Sequence, residues 1–178
     1  MERKSEDVVF EGHEKSMMKS RMRQLSLKLF PDEVLRQVCE PVERFDTELR
    51  DLLDEMRVLM RTHNGIGLAA PQVGITKRLF VCGIEDQTIS LVNPEILDVD
   101  GKAGMIEGCL SLPDVEVNVT RNEHLHLRGY DARGRKKQFR MDGLWARVAQ
   151  HEMDHLDGVL ICDHGENLKT EQGVKDGS

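Results

Sequence analysis

From Asp46 onward, apolar residues recur every three or four places, at Leu49, Leu52, Leu53, Met56, Leu59 and Met60, with charged residues between them. That is the spacing of one helix face and predicts a helix over 46–61. Asp46 or Thr47 offers a cap at its start, and Asn64-Gly65 a stop at its end. The same period returns at Leu144, Trp145, Val148, Ala149, Met153 and Leu156, behind Asp142 as N-cap and ahead of Gly158. Between the two helices the pattern changes to strands, over 78–83, 88–92, 115–119 and 124–130. The last of these alternates Leu125 and Leu127 with His124, His126 and Arg128, and residues 131–134 turn it into a further strand, 137–141. Two histidines on the polar face of an antiparallel strand are expected to be solvated.

Upstream, residues 25–30 alternate like a short strand, and Pro31-Asp32 opens a helical turn that Pro41 ends. Residues 65–74 carry a small side chain at almost every other place, which predicts a loop where backbone approaches a ligand or strand closely. Residues 1–23 have no apolar period and read as a flexible extension. A single catalytic domain is expected over 24–165, with a polar tail over 166–178. The order, a helix, several antiparallel strands and a second helix, is α+β, with antiparallel sheets packed around the second helix.

The second helix carries the chemistry. Gln150-His-Glu-Met-Asp-His155 contains His-Glu-x-x-His, and residues four apart share a helix face. His151 and His155 can therefore reach one metal ion, with Glu152 beside them as a base for water. A catalytic zinc-type site needs a third protein ligand. Position 161, where one metalloprotease pattern would place a histidine, is Ile161, and downstream only Asp163, His164, Glu166 and Glu171 remain. The third ligand is expected upstream. Cys109, in Glu107-Gly-Cys-Leu-Ser111, is the strongest candidate, because a thiolate suits zinc or ferrous iron and Gly108 permits a tight backbone. Cys39, Cys82 and Cys162 have no comparable setting.

Composition narrows the class. A net charge of −7 and a pI near 5.5 argue against a nucleic-acid partner met through a broad basic face. No apolar run is long enough to span a membrane, and residues 1–23 lack the apolar core of a signal peptide. Four scattered cysteines fit a reducing compartment, so the expected location is cytoplasmic.

Three segments together, Gly65-Ile-Gly-Leu-Ala-Ala-Pro-Gln72, Glu107-Gly-Cys-Leu-Ser111 and Gln150-His-Glu-Met-Asp-His155, resemble the signature motifs of the peptide deformylases in order and separation. Leu91-Val-Asn-Pro-Glu95 and Gly143-Leu-Trp-Ala-Arg147 resemble the family's flanks, and the similarity runs over residues 25–163. The resemblance implies removal of the N-formyl group from formyl-methionine on newly made polypeptides, with release of formate. It implies one divalent metal ion on Cys109, His151 and His155: Fe2+ in the cell, with Zn2+, Ni2+ or Co2+ also suited. Glu152 would activate the metal-held water, and Gln72 with the Leu110 backbone N–H would hold the oxyanion. An ion pair between Glu107 and Arg121 is implied as well. Ile66, Gly67 and Leu144 are expected to line the substrate pocket. Many bacterial members carry a long C-terminal helix associated with ribosome docking. The short polar stretch after Asp163 puts that partner in doubt.

Two other classes compete. An endopeptidase of the His-Glu-x-x-His type lacks its downstream ligand here. A purely structural metal module would close all four positions with protein ligands.

Overall fold

Helix α1, Thr47–Thr62, is capped by Asp46, whose Oδ1 accepts from the Leu49 N–H at 3.0 Å. Its apolar stripe, Leu49, Leu52, Leu53, Met56 and Met60, is buried. The stop is carried by Asn64, which takes a left-handed φ of 55°, rather than by Gly65. The computed structural model describes residues 25–169 of the chain. The extension expected over 1–23 and the tail beyond Lys169 lie outside the described residues.

Among the described residues, seven strands follow α1: β1 (Gly67–Ala69), β2 (Leu79–Ile84), β3 (Gln87–Asp100), β4 (Ala103–Cys109), β5 (Leu112–Arg121), β6 (His124–Tyr130) and β7 (Lys136–Asp142). They form a five-stranded antiparallel sheet in the order β1-β2-β3-β6-β7 and a separate β4–β5 hairpin. Helix α2, Gly143–Leu156, then packs across the large sheet. The arrangement is the α+β architecture expected.

Strand β2 shows how the layers are built. Phe80 and Cys82 join the cluster under α2 with Leu91, Leu125, Leu127, Ala149 and Leu156. Leu79 and Val81 join the cluster under α1 with Leu53, Met56, Leu68 and Val92. Alternate residues of a strand point to opposite faces, so the two helices cover opposite sides of the sheet at β2.

Several expectations change. Residues 25–30 form no strand, because two of their N–H groups go to two different segments. Lys28 donates to the Gln72 carbonyl at 2.8 Å, and Phe30 to that of Ser111 at 2.9 Å. The predicted turn after Pro31 is a 3-10 turn, Glu33–Arg36, capped by Asp32. The loop expected over 65–74 contains β1 and a 3-10 turn, Ala70–Val73. Strand β4 was not anticipated, since it holds two glycines and buries only Glu107. Asp142 stands at the N-cap of α2, yet its carboxylate makes no cap bond and accepts from His124 Nδ1 at 2.6 Å.

After α2, Gly158 adopts a φ of 73°, and a Cβ there would lie 2.5 Å from the Arg36 carbonyl oxygen. Only glycine ends the helix that close to another segment. Beyond the 3-10 turn Ile161–Asp163 the chain returns along β5, where Leu168 N–H donates to the Glu116 carbonyl at 2.8 Å. Among the described residues, no helix is long and apolar enough to cross a membrane.

Candidate metal centre

One turn of α2 separates His151 from His155, and their ring centroids lie 5.0 Å apart. Cys109 reaches them from the hairpin tip. It pairs with Leu112, which makes Leu110-Ser111 a two-residue turn. Cys109 Sγ lies 3.3 Å from His155 Nε2, and the ligand atoms of Cys109, His151 and His155 all fall within 4.8 Å of one another. The structure thus brings together the three residues expected to hold a metal. Two of the downstream candidates are engaged elsewhere: Asp163 is taken by Arg36, and His164 Nε2 donates to Asp154 at 2.8 Å. Cys39 and Cys82 lie in the interior, where burial pushes their thiols up to about 11 and about 12.

Glu107, buried at the foot of the site, takes four hydrogen bonds. Arg121 donates from Nε at 2.7 Å and Nη2 at 3.0 Å, Arg147 from Nη1 at 2.6 Å, and His151 from Nδ1 at 3.0 Å. The predicted Glu107–Arg121 pair is therefore an interior clamp, not a surface pair. A carboxylate only accepts, so the Nδ1 proton of His151 is fixed and Nε2 is left to bind. Burial opposes the Glu107 charge, but the bonds from His151 and Arg121 outweigh it and hold the carboxyl at about 2.

The histidines differ electrostatically. Burial, aided by the charges of His151 and Arg121, keeps His155 well below the usual imidazole range, so it is neutral, as a metal ligand must be. Burial also disfavours the cation of His151, yet bonds to Cys109 and Glu107 and the charge of Glu152 lift it to about 10. Cys109, Glu107 and Glu152 thus favour positive charge in this cluster. A divalent metal on the same atoms would satisfy the same negative charge and displace that proton. Two buried atoms, Glu152 Oε2 and His155 Nδ1, have no hydrogen-bond partner among the described residues. Buried polar atoms left unpaired call for a ligand, an ion or water. The donor set, with the orphaned Glu152 oxygen beside it, fits a divalent cation with one open position; His155 meets the cluster through Nε2, so its Nδ1 points away from that ion.

Glu152 is placed by β1. A Cβ at Gly67 would overlap Glu152 Oε1 and lie 2.9 Å from Val148 Cγ1, so the carboxylate rests against bare backbone. Burial raises its pKa to about 7, against the pull of His151 and Arg121. Gln72 stands opposite. Its Oε1 accepts from the Ala69 N–H at 2.9 Å, which turns Nε2 towards Ser111 Oγ at 3.2 Å and Cys109 Sγ at 3.6 Å. A cleft of about 570 Å³ opens over these groups, and Ile66, Gly67, Gln72, Leu110, Leu144 and Glu152 all line it. His155 lies beneath its floor, 1% exposed.

Sequence reasoning gave no role to Arg147, Asp154 or Ser111. Arg147 stands four residues before His151 on the same helix face, a place that by itself does not tell a buried arginine from a solvated one.

A buried carboxylate with an orphaned oxygen beside a cysteine–histidine cluster belongs to a metal-dependent hydrolase. The comparisons with known proteins narrow that class. A family model described as polypeptide deformylase matches residues 25–171. The peptide deformylase of Dictyoglomus thermophilum is 47% identical over 143 residues, covering 79% of this chain and 94% of that protein. Peptide deformylase 1 of Bacillus subtilis is 45% identical over 148 residues, covering 82% and 92%. The crystal structure of peptide deformylase from Thermotoga maritima superposes with a TM-score of 0.78 at 39% identity, over 81% of this chain and 99% of that one. That of a peptide deformylase from Synechococcus elongatus in complex with actinonin gives 0.78 at 44% identity, over 82% of each chain. This chain belongs to the polypeptide deformylase family.

Proposed function

We propose that this protein removes the N-formyl group from the N-terminal formyl-methionine of newly made polypeptides and releases formate, in the cytoplasm. The observation that carries the reading is Glu152: a buried carboxylate, poised near pH 7, with an unpartnered oxygen beside three metal-ligating side chains. Cys109, His151 and His155 would hold one divalent metal, Fe2+ in the cell, with Zn2+, Ni2+ and Co2+ also suited to the donors. When bound, it supplies Lewis acidity and lowers the pKa of adjacent water.

The chain's own groups do the rest. Glu152, buried beside the ligand cluster, takes a proton from the attacking water and returns it to the departing amine. Gln72 Nε2 and the Leu110 N–H donate to the formyl oxygen as it gains negative charge. Ile66 and Leu144 line the wall against which the methionine side chain would lie.

The test is formate release from a formyl-Met-Ala peptide by protein prepared anaerobically with iron or nickel, beside an unformylated control. Formate that disappears on adding a chelator supports the reading. A folded, fully metallated sample that releases none would overturn it.

A further inference from the structure

Arg147, His151 and His155 follow one another at four-residue steps and stand on one face of α2. The histidines turn to Cys109, while the guanidinium of Arg147, in a residue only 6% exposed, turns to the hairpin. Its Nη1 donates to Glu107 Oε1 at 2.6 Å and to the Val119 carbonyl at 2.8 Å, and its Nη2 donates to the Ala103 carbonyl at 2.6 Å. One side chain therefore pins both strands of the hairpin that carries Cys109 to the helix that carries both histidines. Glu107 Oε2 meanwhile accepts from His151 Nδ1. The negative charge of Glu107 is already met by Arg121, which grips both oxygens and also reaches Asp154 at 2.8 Å. What Arg147 adds is direction, since it holds Oε1 from the helix side and leaves Oε2 facing His151.

We propose that Arg147 is a positioning residue of the metal centre, acting through Glu107 to fix the tautomer and ring plane of His151 and the approach of Cys109. Outer partners of metal-ligating histidines typically contribute about 10–100-fold in metal affinity. Arg147 also lines the cleft, so contact with substrate is the competing role. The inference rests on the reading of Cys109, His151 and His155 as ligands of one divalent cation. Wild-type formate release and its loss to a chelator test that reading separately.

The experiment compares the full-length wild type with Arg147→Gln, Arg147→Lys, Glu107→Gln and the double variant Arg147→Gln/Glu107→Gln. Each is stripped of metal and titrated with Co2+ against a chromophoric chelator, with the visible spectrum recorded and kcat and KM fitted separately. Arg147→Gln is expected to bind Co2+ about 10–100-fold more weakly, with an altered Co2+ spectrum and a lower kcat at unchanged KM. Arg147→Lys, which keeps the charge and part of the contact, should recover a share of the affinity. The double variant should bind no more weakly than Glu107→Gln alone, because both changes remove one linkage. Wild-type affinity and spectrum in Arg147→Gln would overturn the proposal. So would a raised KM with metal affinity unchanged, or additive losses in the double variant. If Arg147→Gln does not fold, Glu107→Gln decides. A folded Glu107→Gln with weakened Co2+ binding supports the proposal, and wild-type affinity there leaves Arg147 nothing to act through and overturns it.

Discussion

Two pairs of histidines share a face in this molecule, His151 with His155 on α2 and His124 with His126 on β6, and they have opposite surroundings. The helical pair is interior: the His151 side chain is 12% exposed, and Cys109, Glu107 and Glu152 crowd around it. The strand pair faces outward. The His124 side chain is 57% exposed and donates to Asp142, and His126 donates to Gln138 Oε1 at 3.1 Å. Both pairs keep the spacing that lets two rings point the same way. The difference lies in what the rest of the fold brings to that face. A hairpin delivers a thiol and a carboxylate to the first pair, whereas the second meets the polar side chains of Asp142 and Gln138 on β7.

The contrast is sharpest where a ligand is removed. His155→Ala should weaken metal binding by more than the roughly 10–100-fold typical of outer partners and abolish turnover, as measured by metal competition and formate release. Cys109→Ser should weaken or change metal binding, and unchanged affinity in competition would count against the cysteine as ligand. A smaller effect is expected at Gly67. In Gly67→Ala the new methyl displaces the Glu152 carboxylate, which should lower turnover about 100-fold, as a misplacement near 1 Å does, with metal content retained. Wild-type turnover there would mean that the carboxylate does not depend on β1 for its place.

Next in size is a pH effect remote from the metal. The hydrogen bond from Arg36, aided by the Leu160 N–H, holds Asp163 below the usual aspartate range. Its folded pKa thus lies under its unfolded one, so the stabilisation is complete above about pH 4 and is lost as pH falls through the folded value. Chemical denaturation at stepped pH should show the wild type losing stability relative to Asp163→Asn in that acid window. Parallel curves would remove the pair from the account. The smallest effect belongs to the strand histidines. His124→Ala and His126→Ala should leave metal affinity and turnover at wild-type levels, and a loss of metal in either would erase the contrast between the pairs.

What could be read from the chain follows the same division. The residues of β6 alternate cleanly because one face packs under α2 and the other meets solvent, so the strand was legible to its ends. The metal helix was legible from its period and from Gly158. Strand β4 was not, because a two-stranded ribbon with Gly104 and Gly108 and a single buried side chain leaves no apolar alternation. Cys109, His151, His155, Glu152 and Gln72 could be named from motifs and resemblance. The linkage of Arg147 to Glu107 could not. An arginine four residues before a histidine reads as a solvated helix residue. It is buried here only because the carbonyls of Ala103 and Val119, distant in sequence, come to meet it.

Whether Glu152 moves the proton is decided by metal content and formate release on one preparation of Glu152→Gln. About one metal ion per chain is expected, as in the wild type, with turnover lower by several orders of magnitude, at least the ~10² typical of a lost general acid/base. Turnover close to the wild type in the fully metallated variant would contradict that role, and the proton would then have to move through another group.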